Sequence, residues 1–233
     1  MRPDPSREAY LAFFESAYDT INYGKSLAAR VLDYGHVVTE KPFGADKHFS
    51  TVLEVGAGHG EHVPFIRHGY DRYIMTDWHA DEMRRRWSEA ECAKRNIVIE
   101  AQDATKLIHD DNSADRLIGS HVLEHLLEPH KVLREWSRVV KDGGIISIAL
   151  PCDPGFLWRF GRNFGPRKNN LANGNTHYDY WMAREHVNAI QNLWTFIDYY
   201  FPERKDVWFP AIVPSYDLNL LFITHLVNRK GRV

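Results

Sequence analysis

Cysteine is scarce in this sequence, with Cys92 and Cys152 the two examples in 233 residues. Two cysteines are too few for a disulfide framework, and their spacing does not suit a metal site. A reducing, cytoplasmic setting is therefore expected. An excess of charge of one sign is also lacking, because 29 Lys and Arg stand against 31 Asp and Glu. Neither nucleic acid nor an anionic membrane is expected as a partner, although local basic patches are allowed.

Long hydrophobic runs are missing as well. No apolar stretch approaches the roughly 20 residues that cross a bilayer. The first five residues combine charge with proline and precede no apolar segment, which argues against a signal peptide. Hydrophobic residues make up 44% of the chain and charged residues 26%, as in a globular protein that buries a core. The length fits one α/β domain with additions.

The apolar segments predict the order of the structural elements. Five short runs predict buried strands at residues 51–55, 72–76, 97–101, 114–120 and 144–150. Helical segments are predicted between them, including residues 81–95 and 129–140. Strands that alternate with helices indicate an open parallel sheet covered on both faces.

The two ends of the chain carry other patterns. Residues 6–38 are predicted to be helical with an interruption at residues 23–25, because apolar residues recur at spacings of three and four. These residues are Tyr10, Phe13, Phe14, Ala17, Tyr18 and Ile21. Residues 1–50 are therefore expected to form a helical cap or lid, and residues 51–233 the main domain. Towards the C-terminus, the predictions are a long loop at 156–175, a helix at 183–193 and strands at 207–213 and 218–227.

The strongest local signal is a glycine-rich run directly after the first predicted strand, Glu54-Val55-Gly56-Ala57-Gly58-His59-Gly60. Glycine lets the backbone turn tightly and approach a ligand without a Cβ in the way. A pyrophosphate loop follows the pattern Gly-x-Gly-x-x-Gly, and Glu61 stands at its last glycine position. Glu54 repels a pyrophosphate but attracts a cation or an amino group. S-adenosylmethionine carries both a sulfonium and an ammonium group, so it fits this loop better than a dinucleotide.

Two carboxylates follow the next predicted strands. Asp77 lies about 20 residues beyond the glycines, where a carboxylate accepts hydrogen bonds from ribose hydroxyls. Asp103 follows the third strand and is positioned to accept a hydrogen bond from an adenine amino group. Trp78 is expected to pack on the adenine or on the sheet. Each acid taken alone also suits a helix cap or an Asx turn.

A fourth signal lies where the fourth strand ends, at Ser120, His121, Glu124 and His125. A helix is expected to begin soon after Ser120, so that His121 and His125 share one helix face. Glu124 is placed to orient either ring. His-x-x-x-His also suits zinc, but the sequence offers no third ligand nearby and the glutamate is not at the zincin position. A metal site is therefore not expected.

Taken together, these motifs resemble the class I S-adenosylmethionine-dependent methyltransferases. The resemblance is carried by residues 52–60, Asp77, Asp103 and residues 120–126. It continues through Arg138-Val139-Val140-Lys141-Asp142-Gly143-Gly144, especially towards the branch that contains ubiquinone-biosynthesis and sugar methyltransferases. It covers residues 51–151. His59 and Asp142 depart from the usual pattern without affecting the cofactor.

The resemblance implies both a fold and a cofactor site. The implied fold is a Rossmann-like, doubly wound α/β domain whose seven-stranded, mostly parallel sheet has an antiparallel C-terminal strand and an N-terminal helical cap. The implied contacts to S-adenosylmethionine are Glu54, Gly56, Ala57, Gly58 and Gly60 at the methionine moiety, Asp77 at the ribose, Asp103 and Ala104 at the adenine, and Ser120 and His121 at the sulfonium end.

Methyl transfer to a hydroxyl requires a base, and histidine suits that role because it titrates near neutrality. The candidates are His121, His125 and His177, with Glu124 paired to His125 as in related methyltransferases. His177 also suits a solvated loop.

The acceptor is predicted from a basic cluster, Arg159, Arg162, Arg167 and Lys168, which is placed to bind a phosphate or carboxylate. This favours a small molecule, a sugar or a phosphorylated or nucleotide-linked metabolite, although a solvated basic loop explains the cluster equally. A non-catalytic S-adenosylmethionine-binding protein and a dinucleotide-dependent oxidoreductase are the alternatives. A homodimer is left open.

Overall fold

The computed structural model describes residues 4–6, 8, 9 and 27–231. The apolar stripe predicted between Tyr10 and Ile21 lies outside these residues, as does the interruption predicted at residues 23–25. The N-terminal helix α1 is described at Leu27–Glu40. Within the described residues, no helix combines the length and the apolar character needed to span a bilayer.

Among the described residues, seven strands form a single sheet. Their bounds are β1 His48–Val55, β2 Gly69–Asp77, β3 Ile97–Ala101, β4 Ala114–Ser120, β5 Val140–Pro151, β6 Arg204–Pro210 and β7 Asn219–Val227. The spatial order is β3-β2-β1-β4-β5-β7-β6. The first five strands pair in parallel, and β7 runs antiparallel to both of its neighbours. The predicted Rossmann-like, mostly parallel sheet with an antiparallel C-terminal strand is confirmed.

The strand order reverses between β1 and β4, because the chain moves outward through β2 and β3 before it returns beside β1. Ligands of open α/β sheets bind outside the carboxyl ends of the strands at such a reversal. The segments that follow β1 and β4 are the glycine-rich run and the residues around His121. The fold therefore brings these two sequence signals to one edge.

In the part of the chain that the structure describes, seven further helices cover the sheet or extend beyond β5. Their bounds are α2 Ala80–Arg86, α3 Glu89–Lys94, α4 Pro129–Val139, α5 Phe156–Phe164, α6 Pro166–Ala172, α7 Tyr178–Glu185 and α8 Ile190–Tyr200. The single helix predicted at residues 81–95 is two helices, because Ser88 and Glu91 form a capping box that starts α3.

Two predictions about the segment after β5 are wrong. The long loop predicted at residues 156–175 is mostly helical, because α5 and α6 meet at Gly165 and Pro166 occupies the first turn of α6. The helix predicted at residues 183–193 is interrupted between α7 and α8. The carbonyl oxygen of Glu124 accepts hydrogen bonds from the amides of Val187 and Asn188 there, so this stretch of backbone bonds to the site instead of to a helix.

Apolar packing fills both faces of the sheet. The larger cluster lies under α4 and α8 and includes the fully buried Trp136. Gly119 in β4 makes room for that ring, because a Cβ at this position would lie 2.4 Å from Cη2 of Trp136. The opposite face carries a second cluster that includes Val52, Tyr73 and Met75.

Buried charges also hold α1 against the sheet. Oε1 of Glu40 lies 2.7 Å from Nη2 of Arg116 and 2.8 Å from Nε2 of His62, and all three side chains are fully buried. Nδ1 of His62 lies 2.8 Å from Nδ1 of His36, which belongs to α1. Burial opposes the ionisation of Glu40, but the hydrogen bond with His62 and the Arg116 guanidinium lower its pKa to about 2. Glu40 is therefore a buried carboxylate that neutralises Arg116.

Candidate functional site

The glycine-rich run forms a left-handed turn at the carboxyl end of β1. Gly56, Gly58 and Gly60 have φ values of 67°, 57° and 83°, a region that disfavours residues with a Cβ. A Cβ on Gly56 would lie 2.4 Å from Cγ2 of Val122, and one on Gly60 would lie 2.5 Å from Nε1 of Trp87. The sequence therefore requires glycine here for both conformation and space.

Asp77 supports this turn from the end of β2. Its Oδ2 accepts a hydrogen bond from the amide of Gly58 at 3.0 Å, and its Oδ1 accepts one from the amide of His79 at 2.8 Å. Each carboxylate oxygen keeps a second lone pair for another donor. Trp78, the next residue, is 70% exposed, so its ring presents a free face at this edge.

Asp103 lies further along the same edge. Its Oδ1 accepts hydrogen bonds from the amide of Thr105 at 2.8 Å and from the Thr105 hydroxyl at 2.7 Å, which is the geometry of an Asx turn. Its Oδ2 accepts none from the described residues. Ala104 is half-buried, and its carbonyl oxygen accepts a hydrogen bond from Nε1 of Trp136 at 3.3 Å.

Glu54 lies beneath the turn and is 3% exposed. Its carboxyl group accepts a hydrogen bond from the hydroxyl of Tyr73 at 2.7 Å, and its carbonyl oxygen accepts one from the hydroxyl of Thr76 at 3.0 Å. Burial raises the pKa of Glu54 to about 7, although His62 and the Tyr73 hydroxyl act in the opposite direction. Glu54 thus anchors β1 to β2, and its attraction for a ligand ammonium group stays a prediction.

The segment after β4 differs from the expected helix. His121 has a φ of 57°, and residues Leu123–His125 form a single 3₁₀ turn. The prediction that His121 and His125 share one face of an α-helix is therefore wrong, because α4 begins only at Pro129. The two rings nevertheless approach one carboxylate: Oε1 of Glu124 lies 3.4 Å from Nδ1 of His121 and 3.9 Å from Nε2 of His125.

Glu124 is the centre of this group and is 1% exposed. Burial opposes its ionisation, but the hydrogen bond with His121 and the nearby rings of His125 and His186 lower its pKa to about 2. The hydroxyl of Ser120, at the end of β4, is buried and has no hydrogen-bond partner among the described residues. An unpaired buried hydroxyl beside a glycine turn without Cβ atoms suits a polar ligand.

His177 and the basic cluster lie beyond β5, on and around the short helices. His177 precedes α7 and is exposed, and its carbonyl oxygen accepts a hydrogen bond from the amide of Trp181 at 3.0 Å. Arg159 and Lys168 are also exposed. Arg167 makes two short hydrogen bonds to Asp179, at 2.8 and 2.7 Å, so the Asp179 carboxylate neutralises its charge.

Arg162 is in a different position within that cluster. It lines a cavity of about 760 Å³ together with Asp153, Asn163, Phe164, Arg167, Asp179, Met182, Ala183 and His186. Its Nε is buried and has no hydrogen-bond partner among the described residues. Arg162, one of the four predicted cations, therefore lies in the wall of a cavity and has no carboxylate bound to it among the described residues.

Two residues of that wall, Asp153 and His186, were not among the predicted site residues. Oδ2 of Asp153 lies 2.9 Å from Nδ1 of His186. Asp153 lies two residues beyond β5 and Asp77 is the last residue of β2, so the rule that polar residues at the carboxyl ends of strands reach the functional edge also applies to Asp153. His186 offers no such signal, because it follows α7 and reaches the site only through the tertiary fold.

Metal ligation has no support among the residues that the structure describes, since they contain no group of three or more His, Cys, Asp or Glu arranged to hold an ion. The histidines at this edge instead pair with carboxylates or with backbone carbonyl groups. Nδ1 of His125, for example, lies 2.8 Å from the carbonyl oxygen of Glu185. These partners fix the orientation of the imidazole rings, and an oriented ring is suited to accept or donate a proton.

This chain is similar in sequence and in fold to known proteins. Residues 53–148 match the protein family described as the methyltransferase domain. Ajmaline N-methyltransferase from Rauvolfia serpentina is 24% identical over 132 residues, which are 55% of this chain and 45% of that protein. The chain thus spans less than half the length of this curated relative.

Solved structures of methyltransferases share this fold. A Methanococcus maripaludis protein described as an S-adenosyl-L-methionine-dependent methyltransferase superposes with a TM-score of 0.62 at 13% identity, over 100% of this chain and 99% of that one. The N-methyltransferase NodS from Bradyrhizobium japonicum, in complex with S-adenosyl-L-homocysteine, gives a TM-score of 0.58 at 13% identity, over 94% of this chain and 98% of that one. At these identities the structural likeness establishes the fold.

The match to the methyltransferase domain indicates S-adenosylmethionine as the cofactor. Two structural features fit this molecule, namely the left-handed glycine turn, whose missing Cβ atoms leave room for a ligand, and the unpaired hydroxyl of Ser120. Asp77 and Asp103 each keep acceptor capacity at the same edge. The dinucleotide-dependent oxidoreductase is therefore disfavoured.

Proposed function

We propose that this chain catalyses methyl transfer from S-adenosylmethionine to a hydroxyl group of a small acceptor, a sugar or a phosphorylated or nucleotide-linked metabolite. The observation that carries the proposal is the cavity of about 760 Å³ beyond β5, whose wall contains Arg162 and His186. S-adenosylmethionine supplies the methyl group. The cavity supplies a cation for an acceptor anion and an imidazole for a proton.

The proposed cofactor contacts follow the carboxyl edge of the sheet. The methionine moiety lies along the turn formed by Glu54, Gly56, Ala57, Gly58 and Gly60. Asp77 holds the ribose, and Trp78, Asp103 and Ala104 surround the adenine. Ser120 and His121 face the sulfonium end. The left-handed glycines and the spare lone pairs of Asp77 and Asp103 support this order.

Arg162 is the proposed anchor of the acceptor. Its buried Nε lacks a hydrogen-bond partner among the described residues, and a phosphate or carboxylate oxygen would satisfy it. Arg167 already binds Asp179 and is a weaker candidate. A planar guanidinium holds an anionic oxygen in a fixed direction, so Arg162 would orient the acceptor as well as bind it.

The sequence-predicted candidates for the base include two histidines beside the buried Glu124. His121 and His125 both approach this carboxylate, which compensates the positive charge that a ring gains with a proton. His177 stays a candidate in the segment before α7. Residues 1–50 are the proposed helical cap or lid, and the buried contact of α1 with the sheet fixes the C-terminal end of this segment.

An acceptor screen with a binding measurement tests this function. Calorimetry should detect S-adenosylmethionine binding, and tritium-labelled cofactor should transfer its methyl group to a member of a panel of sugars, sugar phosphates and nucleotide sugars. Arg162→Gln should raise KM for an anionic acceptor roughly 10- to 100-fold, because a hydrogen bond to a charged group contributes about 1.5–3 kcal/mol. Arg159→Gln, which alters an exposed cation outside the cavity wall, is the matched control. Cofactor binding without transfer to any panel member would favour the non-catalytic alternative.

An amine acceptor is the second candidate. Ajmaline N-methyltransferase and NodS, by their names, methylate nitrogen. The cavity wall also contains Asp153, and a carboxylate attracts a protonated amine. The screen should therefore include primary and secondary amines. Transfer to amines with no transfer to any hydroxyl compound would replace the leading proposal by this one.

A further inference from the structure

The pair formed by Asp153 and His186 is built more tightly than a surface ion pair. Nδ1 of His186 lies 2.9 Å from Oδ2 of Asp153, and their side chains are 15% and 12% exposed. The backbone of Asp153 is fixed too, because its carbonyl oxygen accepts a hydrogen bond from the amide of Ile190 at 2.8 Å. The start of α8 therefore holds the backbone from which the carboxylate extends.

Two aromatic neighbours hold the imidazole ring from other directions. The ring of His125 meets the ring of His186 edge to face, with centroids 5.0 Å apart. Trp158 of α5 lies nearly parallel to His186 with centroids 6.5 Å apart. A ring with a carboxylate on one nitrogen and aromatic rings around it has little freedom to turn. Its orientation is therefore set before a substrate enters.

This arrangement determines which nitrogen of His186 is available. An ionised carboxylate only accepts hydrogen bonds, so Asp153 selects the tautomer with a proton on Nδ1. Nε2 is then the nitrogen with a free lone pair. Among the described residues Nε2 has no hydrogen-bond partner, and His186 lines the cavity of about 760 Å³. The ring that carries this unpaired Nε2 therefore lines the space proposed for the acceptor.

The other histidines at this edge are less available. Nδ1 of His125 lies 2.8 Å from the carbonyl oxygen of Glu185, and its Nε2 lies 3.9 Å from Glu124. Nδ1 of His121 faces Glu124 at 3.4 Å. His177 is exposed and lacks a carboxylate within the described contacts. Of these rings, His186 combines an orienting carboxylate with a place in the cavity wall.

We propose that His186 is the catalytic base of this chain and that Asp153 is its positioning residue, an inference that rests on the proposed hydroxyl-directed methyl transfer. As the acceptor oxygen forms a bond to the methyl carbon, its proton passes to Nε2 of His186. The carbon–sulfur bond breaks and its electron pair stays on sulfur, which leaves S-adenosylhomocysteine and a methyl ether. Asp153 compensates the charge of the resulting imidazolium, which then returns the proton to solvent.

His186→Gln and Asp153→Asn test the proposal, with the best hydroxyl acceptor of the screen and saturating S-adenosylmethionine. His186→Gln should lower kcat by roughly 100- to 10,000-fold, as expected for the loss of a general base. Asp153→Asn should lower kcat by a smaller factor. Calorimetry should give the wild-type cofactor affinity for both variants. In His186→Gln, the acid limb of the wild-type pH–rate profile should disappear, and imidazole should restore part of the activity of His186→Ala.

His48→Gln is the matched control. His48 also pairs with an aspartate, Asp71, at 2.9 Å, but both side chains are more than half exposed and the pair lies at the start of β1 and β2, away from the carboxyl edge. This variant should keep wild-type kcat and the wild-type pH profile. Unfolding temperatures of all variants show whether any loss of activity comes from loss of structure.

Three results would overturn the assignment. Wild-type kcat in His186→Gln excludes the ring from the reaction. If kcat falls in His186→Gln but the acid limb stays intact, and imidazole does not restore activity to His186→Ala, then the pair of Asp153 and His186 has a structural role only. If the acid limb of the pH–rate profile disappears in His125→Gln and is kept in His186→Gln, the catalytic base is His125. A wild-type protein that methylates no hydroxyl acceptor refutes the proposed function itself and this inference with it, so the two failures are distinguishable.

Discussion

The amide of Gly58 donates a hydrogen bond to Oδ2 of Asp77 at 3.0 Å. This bond links the turn after β1 to the end of β2, the neighbouring strand. The carboxylate proposed to hold the ribose thus also braces the left-handed turn beside the methionine moiety. One side chain is expected to serve two parts of the same ligand, once directly and once through the backbone.

Asp77→Asn should weaken S-adenosylmethionine binding about 10- to 100-fold. The amide nitrogen of Asn cannot accept a hydrogen bond, so either the Gly58 amide or a ribose hydroxyl loses a charged partner, which contributes about 1.5–3 kcal/mol. Calorimetry measures the change. Asp81→Asn, at an 85% exposed carboxylate four residues away, should keep the wild-type affinity. Equal affinities for the two variants would exclude Asp77 from the cofactor site.

Gly56→Ala should destabilise the fold and abolish cofactor binding. The φ of 67° costs an L-residue roughly 1–2 kcal/mol, and the added Cβ meets Cγ2 of Val122 at 2.4 Å. Thermal unfolding should show a lower Tm. Gly161→Ala is the control. A Cβ added to this helical glycine would lie 3.6 Å from Cδ2 of Leu220, which is an ordinary contact, and alanine has the higher helix propensity. A Gly56→Ala protein that binds S-adenosylmethionine normally would contradict the need for glycine at this turn.

Glu54→Gln should remove one component of the pH dependence of stability. The folded-state pKa of Glu54 is raised from 4.5 to about 7, so the folded protein holds this proton more tightly than the unfolded chain. The resulting stabilisation is full below pH 4.5 and is lost as pH rises towards 7. At about 1.4 kcal/mol per pH unit, the loss amounts to roughly 3 kcal/mol.

Urea unfolding of the wild type and Glu54→Gln between pH 4.5 and 8 measures this difference. Glutamine can still accept the Tyr73 hydrogen bond, so the variant should become the more stable protein, relative to the wild type, as pH rises. A difference between the two free energies of unfolding that stays constant across this range would show that Glu54 ionises normally in the folded protein.

Glu40→Gln should lower the free energy of unfolding by about 3–5 kcal/mol, because it leaves the buried guanidinium of Arg116 without a neutralising charge. Oε1 of Glu40 and Nη2 of Arg116 are 2.7 Å apart, and both side chains are fully buried. Glu128→Gln breaks an ion pair of the same 2.7 Å length with Lys131, but both side chains are 56% exposed. That change should cost less than about 1 kcal/mol. Similar losses for the two variants would mean that the burial of Glu40 has no energetic effect.

The parallel part of the sheet could be predicted from the sequence because its strands contain short apolar runs. The predicted bounds of residues 97–101, at the edge of the sheet, and of residues 114–120, in its mostly buried centre, match the structure. The edge residues of the site follow from the same pattern, since a polar residue directly after a buried strand lies at the carboxyl edge. Asp77 and Asp103 both fit this rule.

The segment beyond β5 could not be predicted in the same way. Gly, Asn and Arg are frequent in residues 156–175 and favour a loop, yet Phe156, Phe160 and Phe164 repeat every four residues as in a helix. Asp153 and His186 form a pair although they lie 33 positions apart in the sequence. No local pattern encodes it. His121 adopts a left-handed φ that few non-glycine residues take, so an ordinary helix start was the reasonable expectation there.

The buried contact between Glu40 and Arg116 also constrains how this sequence can diverge. A guanidinium in β4 is tolerated only with an acid at the end of α1, and the acid is tolerated only with the guanidinium, so either single replacement passes through an unstable intermediate. We therefore expect positions 40 and 116 to change together among relatives, either as an acid and a base or as two apolar residues. A helix and a strand 76 positions apart would then be inherited as one unit.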